Sequence, residues 1–172
     1  NVNAQDYVQW SDTVKSYLTV CDNGNYMRVQ SGAIEGKLLV EYYSPDFEPL
    51  STKLIDNELP IFGAFYDSGN NYYVLSGQEN PKQNDSLEVF RITKYDKNWN
   101  KIKSCGLYGA NTTVPFDAGS ARMTHSGDHL LVRTCHEMYK SSDGNNHQSN
   151  VTIEVDMPSM TITDSYTGVM NV

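Results

Sequence analysis

An all-β fold, built from repeated antiparallel four-stranded units, is the class this sequence predicts. Three observations carry that prediction. Helical periodicity is nearly absent from the 172 residues. Short runs rich in Val, Ile, Leu, Tyr and Thr are instead punctuated by Asn, Gly, Asp and Pro, the pattern of strands divided by tight turns. Two kinds of hairpin also recur three times each at matching spacing.

The first hairpin reads YLTVCDNGNYMRVQ at 17–30, FGAFYDSGNNYYVLS at 62–76 and SARMTHSGDHLLVRT at 120–134. Each is a strand, a turn around Asn23-Gly24, Ser68-Gly69 or Ser126-Gly127, and a second strand ending near Val29, Val74 or Val132. Glycine supplies the positive φ that a tight hairpin needs. The second hairpin follows as LLVEYYSPDFEPLST at 38–52, FRITKYDKNWNKIKS at 90–104 and VTIEVDMPSMTITD at 151–164. Tyr43, Tyr95 and Val155 precede its turn, and Leu50, Ile102 and Ile162 follow them by seven positions every time. Pro45 and Pro158 sit inside two of these turns, where a fixed φ suits the backbone.

The chain therefore reads as one all-β domain or segment with three copies of a unit of strands A, B, C and D, over roughly 15–60, 61–118 and 119–172. Antiparallel four-stranded repeats of this period are blade-like, the sequence form of a β-propeller or a propeller fragment. A β-sandwich with accidental self-similarity is the alternative. Three blades do not close a ring, and Gly168 to Val172 reads as a linker into another A strand. Further blades of the same chain, or other subunits, are the expected partners.

Composition narrows the function. Lys and Arg number 13 against 21 Asp and Glu, a net charge of −8. That balance lacks the basic face of an electrostatic nucleic-acid binder, so no nucleic acid is expected. No apolar run approaches the length of a membrane span. The hydrophobic class is 38% of residues and includes 12 Tyr, so the core is expected to use tyrosine as amphipathic packing. A surface of Asn, Asp, Ser, Thr, Gly and Tyr with little Lys suggests a secreted or cell-surface protein. Asn1 to Trp10 shows no signal-peptide pattern. Cys21, Cys105 and Cys135 form no C-x-x-C pair, which argues against a zinc site, and their odd number leaves at least one free thiol.

The stretch HSGDHLLVRTCHEMYKSSDGNNHQSNVTIEVD, followed by ITDSYTGVMNV, resembles β-propeller-type repeats of uncharacterised secreted proteins from anaerobic bacteria. The resemblance covers residues 60–172 best. It implies export and a propeller. It brings no agreed activity, so it assigns no catalytic residue. The WD and Gly-His marks of WD40 repeats and the double glycine of kelch repeats are absent.

Candidate site residues concentrate in the third copy. Ala64 and Asp67 of copy two correspond to Arg122 and His125, and charged groups that break a repeat need a reason. The candidates are Arg122, His125, Arg133, His136, Glu137 and Tyr139, with His136, Glu137 and Tyr139 opening the connection from B to C. Contact with a glycan or carboxylate is one reading; acid–base chemistry by a His–Glu pair is another; ordinary surface pairing is the third. His125, His129, His136 and His147 match no zinc spacing, so no metal is expected. Asp67-Ser68-Gly69-Asn70-Asn71 and Asp143-Gly144-Asn145-Asn146 look like calcium loops but lack the required spacing; plain turns and no cofactor are expected, with calcium as the alternative. Trp10, Trp99, Tyr72, Tyr73, Tyr108 and Tyr139 could serve as stacking platforms or as packing between sheets.

Loop lengths place the expected site. The stretches 77–86 and 138–150 and the D–A stretch 106–120 are long, and alternation of strand direction puts all three at one end. Functional residues usually ride on such loops. The leading expectation is thus a secreted binding or interaction module for protein or glycan. A glycan-active hydrolase or lyase and a structural spacer are the alternatives.

Overall fold

The computed structural model describes residues 13–117 and 121–169. Its elements are strands joined by turns, with no helix among the described residues. The first sheet takes β1 (Ser16–Val20), β2 (Tyr26–Ile34), β3 (Lys37–Tyr43) and β4 (Pro49–Asp56) in that order. The second takes β5 (Ile61–Asp67), β6 (Tyr72–Gly77), β7 (Glu88–Tyr95) and β8 (Lys101–Tyr108). The third takes β10 (Arg122–Ser126), β11 (His129–Lys140), β12 (Asn146–Asp156) and β13 (Thr161–Tyr166). All pairings are antiparallel. The repeated A-B-C-D unit is therefore present three times. Gly24, Gly69 and Gly127 adopt φ of 84°, 93° and 56°, the left-handed conformation their turns require. Among the described residues the sheets close into neither a barrel nor a ring.

Two connections differ from the sequence reading. Residues 138–150 are mostly strand, because β11 and β12 run on as a long hairpin. Only the turn at 141–145 separates them, closed by the Ser141 N–H on the Asn145 carbonyl at 2.9 Å. The lead-in 106–120 contains β9 (Thr112–Pro115), which pairs with β11. β9 and β10 thus occupy successive halves of one β11 edge, opposite His136–Met138 and His129–Arg133 respectively.

The sheets stack face to face. Met27, Val29, Leu38 and Val40 of the first sheet cluster with Phe62, Phe65, Tyr72, Val74, Tyr95 and Trp99 of the second. The other face of the second sheet, with Ala64, Tyr73, Leu75, Phe90 and Ile92, packs against Leu130, Val132, Val151, Ile153 and Val155 of the third. Alternation explains the division: Tyr72 and Val74 face one neighbour, Tyr73 and Leu75 the other. Covered on both sides, β6 is buried along its whole length. β11 buries only alternate residues.

Phe116, just after β9 of the third sheet, packs that sheet against the second. Its backbone is left-handed, at φ 62°, and its ring meets Phe90 edge-on at 5.5 Å. A Cβ at Gly63 or Gly77 would run into that ring, so both positions must lack a side chain.

Candidate functional site

The long-loop end is tied together internally. The Asn80 amide Nδ2 donates to the Tyr139 hydroxyl at 3.0 Å, the Asn80 N–H to the Thr113 carbonyl at 2.7 Å, and the Tyr139 N–H to the Asn111 carbonyl at 3.2 Å. The three connections do share an end, but their polar groups serve one another. Asn80, Thr112 and Thr113 are buried there.

Four of the six candidates, His125, His136, Glu137 and Tyr139, are not brought into one site. His136 is fully buried, and its Nδ1 shares a 2.6 Å hydrogen bond with the Thr112 hydroxyl. Desolvation pulls its pKa down to about 4, partly offset by the Thr167 backbone. Glu137 lies on the opposite face of β11 and accepts from the Thr113 hydroxyl at 2.6 Å. Consecutive strand residues point apart, so His136 and Glu137 do not form an acid–base pair. They open no loop either, since β11 continues through them. Tyr139 is half-buried; burial, then its bond to Asp85, push its phenol pKa up. The exposed His125 places Nδ1 2.8 Å from the Tyr66 hydroxyl, bridging β10 to β5.

Arg122 and Arg133 are brought together as direct cross-strand partners. Both are exposed. Arg122 donates to the Ala121 carbonyl at 3.1 Å, and Arg133 to the Thr152 hydroxyl at 2.7 Å. A groove of about 290 Å³ runs beside them, lined by Met123, Leu131 and Thr152. Arg122 also borders a cleft of about 300 Å³ where β1, β5 and β10, the first strands of the three sheets, meet.

A cleft of about 470 Å³ lies at the other end, between the first and second sheets. Sequence reasoning missed it. Its rim comes from the turn after β1 (Asp22, Asn23, Asn25), from β4 (Ser51, Lys53) and from the turn after β7 (Lys97, Asn98). Tyr42 and Tyr72 form its aromatic wall. The Lys97 ammonium is held by Asp67 at 2.8 Å and stands 4.5 Å from the Tyr72 ring centroid. Lys53 caps the Asn98 carbonyl at 2.9 Å. Behind this wall Trp99 adopts φ 67° and turns its indole inward to 5% exposure, where its centroid lies 4.9 Å from Tyr72. Burial is the main cause of the raised Tyr42 and Tyr72 phenol pKa values.

Of the other aromatic candidates, Tyr73 is buried and Tyr108 exposed; Trp10 lies outside the described residues. The carboxylates of the two calcium-like loops are engaged locally. Asp67 accepts from the Gly69 N–H at 2.8 Å and from Lys97. Asp143 accepts from the Asn145 N–H at 2.9 Å and from the Ser141 hydroxyl. Among the described residues no cluster of three or more His, Cys, Asp or Glu could hold a metal ion. Cys21, Cys105 and Cys135 are all free and half-buried, and burial raises the Cys105 pKa to about 11.

No protein-family model matches the chain, and no curated protein matches it either. Among solved structures it is similar to the crystal structure of an ACO/RPE65 chimera, with a TM-score of 0.58 and 11% sequence identity. The match covers 90% of this chain and 38% of that one. At that identity the likeness is one of fold.

Proposed function

We propose that this chain is a secreted interaction module of blade-like sheets that binds glycan in the cleft between its first and second sheets. The observation that carries this reading is the cleft's composition: the half-buried Tyr42 ring, backed by the buried Tyr72, beside a rim of amides, a hydroxyl and tethered lysines. Aromatic faces pack against the C–H faces of sugars, and amide and hydroxyl groups match ring hydroxyls. A volume of about 470 Å³ falls within the range of small-ligand sites. The convergence of β1, β5 and β10 supports a propeller-type arrangement, with the first strand of each blade innermost. The dispersal of His125, His136 and Glu137 favours binding over hydrolase or lyase chemistry.

The test is a screen of neutral oligosaccharides read through the fluorescence of Trp99. A binding sugar should perturb that signal, and Asn25→Ala and Asn98→Ala should each weaken it by about tenfold, about 1.4 kcal/mol. Sugar binding that ignores both changes would remove the cleft from the proposal.

A further inference from the structure

The cleft between the first and second sheets carries polar groups that the protein itself leaves unused. Two of its asparagines are pinned by their backbones. The Asn25 carbonyl accepts from the Cys21 N–H at 2.7 Å. The Asn98 N–H donates to the Asp96 carboxylate at 2.8 Å, and its carbonyl holds Lys53 at 2.9 Å. Their side-chain amides, by contrast, bond to no protein group among the described residues. Each therefore offers the cleft a spare carbonyl acceptor and a spare amino donor.

The charges of the lining cancel. Lys97 is neutralised by Asp67 at 2.8 Å, and the remaining Lys53 and Asp22 are one of each sign. Such a lining favours neither an anion nor a cation. Both walls belong to sheets whose packing against each other is described, so the site does not depend on what covers the outer faces.

Behind the wall stands a donor without an acceptor. The Trp99 indole Nε1 is shut off from water and has no partner within hydrogen-bond distance, and a buried N–H left so calls for a reason. Its influence falls on the Tyr42 hydroxyl: burial raises that phenol's pKa, and the Trp99 N–H works against the rise. Tyr42 therefore stays protonated at neutral pH, with its oxygen toward the indole. Once its O–H donates to a ligand, the phenol oxygen becomes a better acceptor, and the stranded indole N–H gains a partner. Leu50, 54% exposed, adds an apolar patch to the same lining.

We propose that the cleft selects an N-acetylated amino sugar, with the Tyr42 hydroxyl donating to the acetamido carbonyl and the spare amides of Asn25 and Asn98 taking the acetamido N–H and the ring hydroxyls. The inference rests on the glycan-binding reading of this cleft and names its substrate class. An acetamido group is uncharged and joins a carbonyl acceptor, an N–H donor and a methyl group. Those three features meet the phenol donor, the amide carbonyls and Leu50. A plain hydroxyl would leave the apolar patch unused, and a free amine would bring a charge that the lining does not balance.

The experiment is calorimetric titration with tetra-N-acetylchitotetraose, with its fully deacetylated form and with cellotetraose, which carries a hydroxyl in place of each acetamido group. The acetylated sugar should bind at least about tenfold more tightly than either of the others. These comparisons use the wild-type chain and need no variant. Tyr42→Phe keeps the ring, and should weaken the acetylated sugar at least about tenfold while changing cellotetraose little; thermal melts check that the variant is folded. Equal binding of cellotetraose, or of the deacetylated sugar, would overturn the acetamido assignment and leave the glycan reading standing. Unchanged binding of the acetylated sugar by folded Tyr42→Phe would overturn it as well. Failure of every sugar in the neutral screen to bind would remove the glycan reading and this proposal together.

Discussion

The second and third sheets carry the same strands in the same order, yet one row reads Ala64-Leu75-Ile92 in the middle sheet and Arg122-Arg133-Thr152 in the outer one. Backbone geometry does not set the difference; the neighbour does. Between two sheets the inward side chains lose water, and an unpaired charge there is costly. On the far face of the third sheet Arg122 and Arg133 are exposed among the described residues, and there charge is tolerated.

That contrast can be broken most severely by writing the outer residue into the middle. Leu75→Arg would bury a guanidinium between two sheets with no partner, a loss of at least about 4 kcal/mol. Chemical denaturation should find the variant unfolded, or close to it, at neutral pH; a native-like midpoint would mean that the sheets are not packed there. A change of pH sharpens the same comparison through His136, which faces inward one strand position from the outward Glu137. Its folded pKa of about 4 lies below the ordinary value near 6.5. Between these values the unfolded chain binds the proton and the folded one does not. The stability from a neutral His136 is full above about pH 6.5 and is lost as pH falls toward 4, by up to about 3 kcal/mol. His136→Gln should flatten that part of a stability-versus-pH curve; an unchanged slope would assign it to other groups. The smallest effect belongs to the reverse swap. Arg133→Leu removes one exposed hydrogen bond, to the Thr152 hydroxyl, and should move the melting midpoint by no more than about a few tenths of a kcal/mol. A marked fall would show that Arg133 has a structural partner beyond Thr152.

Strand pairing was legible because most hairpins announce themselves twice, by alternation in the arms and by glycine or proline in the turn; the 96–100 turn has neither and was read from its equal spacing in the repeat. Where alternation fails, so does the reading. Asn146-His147-Gln148-Ser149-Asn150 is polar throughout and resembles a loop, but becomes strand because β11 continues opposite it. β9 is four residues long and takes its pairing from a partner more than twenty positions away. Arg122 was legible as a departure from the repeat; its cross-strand partnership with Arg133 was not. The tyrosine cleft was not, because its walls come from residues 21–98 and none is unusual in its own segment. Trp99 marked a turn correctly, yet its inward indole follows from a left-handed backbone that sequence alone does not reveal.

The Phe116 contact bears on how the molecule can be divided. Its ring follows β9 of the third sheet and fills a hollow kept open by Gly63 and Gly77 in the second. A protein cut after Tyr108 would carry that hollow empty, with Phe90 uncovered beside it. The units are consecutive in sequence but not interchangeable parts. Excising or transplanting the second one requires the Thr112–Phe116 segment to travel with it, so the working boundary between the last two units falls after Phe116, not at the end of β8.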